Sequence, residues 1–184
     1  MQKIISLFQR NYDGDRLVRN ELVPGAEWVI SGEGIPTRKF DGTCCMVRDG
    51  KLYKRYDAKK GKQPPAGFEP AQDPDEVTEH WPGWLLVGDG PDDRWHREAV
   101  SKNGQFPDGT YELCGPKVQG NPEGFETHVL VRHGEEILKD VPRDYEGIRE
   151  WLRVHSIEGI VWHHPDGRSM VKIKRKDFFK KGTG

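Results

Sequence analysis

Alternation of apolar and polar residues with a period of two recurs along this chain, and a helical spacing is rare. Residues 43–48 and 51–56 alternate on either side of Asp49-Gly50, a dipeptide that closes two-residue hairpins. Counting pairs back from that turn sets Arg48 opposite Lys51 and Cys44 opposite Arg55. Residues 109–114, ended by Gly115-Pro116, and 127–132, ended by His133-Gly134, predict two further strands. Residues 157–163 and 169–174 predict a second hairpin across Pro165-Asp166-Gly167. Upstream, residues 28–30 read as a short strand closed by Ser31-Gly32-Glu33-Gly34. Residues 35–40 read as the next, with Pro36 favouring an edge or strand-start position.

Only one segment carries the 3.6-residue spacing clearly. Ile148, Trp151 and Leu152 share a face, and Asp144 supplies an N-cap for a helix running to about His155. A shorter helix is expected over 94–102 and a short strand over 84–87. Residues 57–83 hold Pro64-Pro65, Pro70, Pro74 and Pro82 and predict mostly loop; residues 1–25 lead into the fold through a polar turn at 11–15. Many strands and few helices predict an α+β domain of antiparallel sheets.

A length of 184 residues suits one domain with a real core, and the expectation is a single domain over 1–184. The apolar share of 34% rises to about 43% when glycine is counted and tyrosine left out, near the globular norm. A net charge of −1 gives no bulk attraction to nucleic acid. The distribution changes that picture: residues 51–62 carry six basic side chains against Asp57, and residues 168–181 carry seven against Asp177. Two basic segments fit a phosphate-lined cleft, and equally two solvated charge runs. Cys44, Cys45 and Cys114 form no CxxC, so neither a disulfide framework nor a zinc motif is indicated. The first eight residues are too short an apolar stretch for a signal or membrane segment. The expectation is a cytoplasmic monomer with no membrane partner.

Lys39-Phe40-Asp41-Gly42 is the stretch with the most chemical promise. Lys39 and Asp41 share one face of a strand whose other face buries Phe40. A lysine beside a turn is most often a solvated surface residue. As a nucleophile it must be neutral, and at an ordinary pKa only ~0.1% is neutral near pH 7. Arg55, Lys172 and Lys174 are the cations available to depress it. Val171-Lys172-Ile173-Lys174 directs both lysines one way, as a phosphate clamp or as a solvated amphipathic edge. Glu112 and Glu158 are carboxylates in otherwise apolar strands, which calls for a cation, a metal or solvent as partner. Magnesium on nucleotide phosphates would supply one. Gly159 would let a ligand approach the backbone closely. His163-His164 reads as structural or solvent-facing, and there is no Walker-type loop or Rossmann fingerprint.

Taken in order, these segments resemble the covalent nucleotidyltransferase superfamily of ATP-dependent ligases and capping enzymes. Lys39 to Gly42 matches its nucleophile motif and Lys54-Arg55 the next basic motif. Glu112 stands at the central acid, Glu158-Gly159 matches the fourth motif and Lys172-Ile173-Lys174 the last. The wording KFDGTCC, KRYD, ELCGPKVQGNPEG, HVLVRHG and EGIVWHHPDG is similar to the small 5′–3′ RNA ligase family known from vertebrates. That resemblance covers most of residues 35–176, with 63–108 matching poorly.

The resemblance implies an adenylyltransferase fold of two antiparallel sheets, flanked by few helices, around an ATP cleft. It also implies joining of RNA 5′-phosphate and 3′-hydroxyl ends with ATP and Mg2+ or Mn2+. Lys39 would carry AMP, and Arg55 would contact ribose or phosphate. Glu112 would contact ribose or metal, Glu158 would hold metal, and Lys172 would hold the α-phosphate. Asp41 and Lys174 complete the ATP-binding set. Phe125 is a candidate for adenine stacking, and Arg38 departs from the acid that many ligases carry before the nucleophile. DNA ligation and GTP-dependent capping are rivals that usually rely on an added C-terminal barrel, whereas ten residues follow Lys174. An RNA-binding module without catalysis is the rival of another class.

Overall fold

A strand satisfies its backbone only through lateral neighbours. In the computed structural model, which describes residues 4–59, 61–76 and 79–180, the alternating segments find them. In chain order the elements are β1 (Ile5–Ser6), β2 (Phe8–Arg10), β3 (Val18–Leu22), α1 (Glu27–Ile30), β4 (Ile35–Lys39), β5 (Thr43–Arg48) and β6 (Lys51–Ala58). Then come β7 (Glu69–Pro70), β8 (Trp81–Leu86), α2 (Arg94–Asn103), β9 (Gly109–Cys114) and β10 (Val129–Arg132). The last are α3 (Tyr145–Val154), β11 (Gly159–His163), β12 (Met170–Lys174) and α4 (Arg175–Phe178). No helix among the described residues is long and apolar enough to cross a membrane.

The chain packs as two compact units, one holding residues 41–133 and the other residues 4–40 and 134–180. The first unit contains a six-stranded antiparallel sheet in the order β10-β9-β5-β6-β8-β7. Its centre is the β5–β6 hairpin, whose register runs from Arg48↔Lys51 to Cys45↔Lys54 as the turn predicts. Asp49 and Gly50 both adopt positive φ, at 52° and 69°, as the tight turn requires. Cys45, Val47, Tyr111, Leu113 and Leu130 from the sheet pack with Ala99 of α2. Here β8 begins three residues before the expected strand. Pro82 lies opposite Asp57 in β6, and its carbonyl accepts from Ala71 N–H at 3.0 Å, so the ladder tolerates the missing donor.

The second unit holds a four-stranded sheet in the order β1-β12-β11-β4 and the β2–β3 pair. β11 runs antiparallel to both β12 and β4, and β1 joins β12 in parallel. Pro36 sits on β4, the edge strand, as its lack of an N–H predicts. Ile160, Trp162, Val171 and Ile173 direct their side chains into a core shared with Ile148 and Leu152 of α3, all essentially inaccessible.

Residues 28–30 are not a strand. They belong to the single helical turn α1, and the reason lies in where the carbonyls go. Ser31 N–H bonds Glu27 O at 3.1 Å, while the Arg143 guanidinium donates to Val29 O at 2.8 Å, to Gly34 O at 2.7 Å and to Glu33 O. A backbone satisfied by local bonds and one side chain needs no ladder.

The N-cap expected for α3 is present: Asp144 Oδ1 accepts from Gly147 N–H at 2.8 Å. Asp144→Ala removes that acceptor and is expected to cost about 1 kcal/mol of stability, with the midpoint of urea unfolding lowered and its slope unchanged. An unshifted midpoint would mean the cap contributes nothing.

Candidate functional site

Lys39 ends β4, and the sheet register determines what it meets. Gly159, the first residue of β11, lies opposite Lys39 on one side and opposite Lys174 of β12 on the other. Glu158 immediately precedes it, and its carboxylate reaches both neighbours. Lys39 Nζ donates to Glu158 Oε2 at 2.6 Å, and Lys174 Nζ lies 3.2 Å from Glu158 Oε1. The Glu158 side chain is only 9% exposed, so two ammonium groups offset the desolvation of one carboxylate.

Such an approach demands glycine at position 159. A Cβ there would stand 2.2 Å from Ile173 O and 2.9 Å from Lys174 Cα. The space that the sequence suggests for a ligand is taken by the neighbouring strand. The bend at Glu158 also removes it from the ladder proper, whereas the sequence predicts it inside a strand.

Lys172 alternates with buried Val171 and Ile173, as the pattern predicts. Burial, then the ammonium groups of Lys174 and Lys39, push its pKa down from 10.5 to about 8. Lys172 is one of the cations that the sequence places beside Lys39. The residues of this unit thus form three lysines around one carboxylate, a positive cluster suited to phosphate oxygens. Arg38 takes a separate course: its guanidinium pairs with Glu136 at 3.3 Å and lies 4.5 Å from the Phe40 ring centre.

The other unit carries a second polar group. Glu112, in β9 and 8% exposed, accepts from Gly42 N–H at 3.1 Å through Oε1. Its Oε2 lies 2.8 Å from His133 Nε2, and His133 Nδ1 is 3.0 Å from Thr110 Oγ1. Cys44 is in register with Glu112 across β5 and β9. Asp41 N–H donates to Glu123 Oε1 at 2.8 Å. Arg55 lies over Trp84, its partner across β6 and β8, with its guanidinium 5.2 Å from the ring centre and 3.7 Å from Asp57 Oδ1. Lys54 pairs with Asp93. Of the two basic runs, Lys60 and Lys181 lie outside the described residues.

Lys39, Glu158, Lys172 and Lys174 therefore come together in one unit, and Asp41-Gly42 and Glu112 in the other. His133 and Glu123 are missed by sequence reasoning. His133 follows β10, and its link to Glu112 depends on the β9–β10 pairing, in which Val131 faces Glu112 and His133 N–H bonds Thr110 O at 3.1 Å. The alternation of residues 127–132 carries that signal only once its partner strand is known.

Comparison with known proteins bears on these residues. Residues 92–181 match the family profile described as RNA ligase 1, a span that holds Glu112, Glu158, Lys172 and Lys174. RNA ligase 1 of Pongo abelii is 27% identical over 77% of this chain and 66% of its own length. The chain is similar in sequence to RNA ligase 1. The Mus musculus protein is 26% identical over 77% of this chain and 65% of its own, and that of Danio rerio 28% over 76% and 65%. The chain thus spans just under two thirds of the length of these relatives.

The lowered pKa of Lys172 yields a pH signature. Between about 8 and 10.5 the unfolded state binds the proton that the folded state has lost, so this lysine adds stability as pH rises through that window. Below it both states are protonated and the penalty is constant. Lys172→Met is therefore expected to be relatively more stable at pH 7, and its advantage over wild type in urea unfolding should shrink between about pH 8 and 10.5. A pH-independent difference would contradict the assignment.

Proposed function

We propose that this chain is an ATP-dependent RNA ligase acting in RNA repair, a cytoplasmic monomer with a nucleotidyltransferase domain and Lys39 as its nucleophile. The observation that carries the reading is the Glu158 carboxylate holding Lys39 at 2.6 Å and Lys174 at 3.2 Å, with Lys172 on the same strand as Lys174. The similarity to RNA ligase 1 supports it. A simple RNA-binding surface gains nothing from burying a carboxylate among lysines, whereas a nucleotidyl transfer needs both a nucleophilic amine and fixed cations.

In the first step Lys39 Nζ attacks the ATP α-phosphorus, a P–N bond forms, and the P–O bond to pyrophosphate breaks. The amine must first lose a proton, and Glu158 Oε2, within hydrogen-bond reach, is positioned to take it. Lys172 and Lys174 then face the charge that develops on the phosphoryl oxygens. The adenylyl group passes to an RNA 5′-phosphate, and a 3′-hydroxyl displaces AMP to join the ends.

Glu158 and Glu112 offer the hard oxygen donors that magnesium or manganese takes. An ion bound at either carboxylate would supply charge neutralisation on the phosphates. Both Glu158 oxygens are engaged by lysines in the resting arrangement, so an ion at Glu158 would displace the Lys39 ammonium group, whose proton would then pass to solvent instead. Arg55, Asp41 and Glu112 complete the nucleotide contacts in this proposal.

Incubation of the protein with ATP and Mg2+ is expected to raise its intact mass by one adenylyl group, and Lys39→Ala should remain unmodified. An unmodified wild type or an equally modified variant would refute the proposal. Parallel reactions with GTP, and with nicked RNA and DNA, are expected to favour ATP and RNA; preference for GTP or DNA would shift the reading to capping or DNA ligation.

A further inference from the structure

Cys44, Glu112 and His133 bring one thiol, one carboxylate and one imidazole together with donor atoms all within 4.8 Å of one another. All three belong to the unit of residues 41–133, and Cys44 is in no disulfide. We propose that they form a binding site for a borderline-soft divalent transition metal, with zinc the best match. The inference does not rest on the ligase reading, which asks only for a hard, oxygen-bound ion.

The surroundings are those of a metal site. Tetrahedral zinc ligands at ~2.0–2.3 Å from the ion stand roughly 3.3–3.7 Å apart, so the donors need to shift by about an ångström or less. Glu112 and Cys44 are fixed by the β5–β9 ladder. The second oxygen of Glu112 is held by Gly42 N–H at 3.1 Å, and the far nitrogen of His133 lies 3.0 Å from Thr110 Oγ1. Metal-binding carboxylates and imidazoles typically have such outer partners, which orient them and set the imidazole tautomer. Three protein ligands leave a fourth position for water or an external ligand.

The proton balance is simple. In the resting arrangement His133 Nε2 faces the Glu112 carboxylate at 2.8 Å and is the donor of that bond. On binding, the imidazole carries its proton on Nδ1 and donates it to Thr110 Oγ1, leaving the Nε2 lone pair for the metal. Cys44 gives up its thiol proton to solvent and ligates as thiolate. One proton is released per ion, and no oxidant or reductant is involved.

A thiolate ligand separates this site from one for magnesium, because magnesium takes oxygen ligands. The test uses the full chain, stripped with chelator and free of nucleotide, titrated with Co2+ and then with Zn2+. One equivalent of Co2+ is expected to produce a thiolate-to-cobalt charge-transfer band, which Zn2+ abolishes by displacement. Cys44→Ser should lose the band, and His133→Gln should weaken binding by ~10-fold or more. Circular dichroism of each variant establishes that it is folded; should Cys44→Ser not fold, His133→Gln and the wild-type titration decide. Absence of the band in wild type, its persistence in folded Cys44→Ser, or unchanged affinity in His133→Gln would overturn the proposal. Because ATP is absent throughout, each of these results leaves the adenylylation test untouched.

Discussion

The carboxylate of Glu158 is the constraint on which the lysine cluster depends. Lys39, Lys172 and Lys174 would repel one another, and the pKa of Lys172 is pushed down by burial first and by its two ammonium neighbours second. One carboxylate whose two oxygens each take a different ammonium allows the cluster to exist without excluding phosphate, since the net local charge stays positive. Removing only the carboxylate would leave like charges uncompensated, a larger penalty than the pair itself is worth. The same ion pair is the contact that Lys39 would leave in the proposed reaction. In the proposed function, stability and reactivity would thus draw on one contact.

That contact is produced by backbone geometry. β11 lies between β4 and β12, and Gly159 lets the neighbouring strand approach to a distance that a side chain would forbid. Ile160, Trp162, Val171 and Ile173 anchor the other face of the same strands in the core. Since side chains alternate across a strand, burying those four commits the intervening lysines to the opposite face. Hydrophobic packing and charge placement are therefore two consequences of one register.

Much of this is legible in the sequence because it rests on period and turn chemistry. The Asp49-Gly50 hairpin, β9, α2, α3 with its Asp144 cap, and the alternation of β12 follow from local patterns. What is not legible depends on distant partners. The helical turn at Glu27–Ile30 reads as a strand because β-branched and aromatic residues favour one, and Arg143, more than a hundred residues on, satisfies its carbonyls instead. Gly159 looks like room for a ligand until the neighbouring backbone fills it. His133 carries no motif spacing, and only strand pairing brings it to Glu112. Arg55 is legible as a cation, but its stacking on Trp84 follows from the β6–β8 register.

The central claim is that Lys39, alone among three clustered lysines, carries the nucleotide. Proteolysis of the ATP-treated protein followed by fragmentation mass spectrometry locates the adduct directly. The account predicts a single adenylylated peptide with the modification on Lys39 and unmodified peptides for Lys172 and Lys174. An adduct on either of the latter, or none on Lys39, would contradict it.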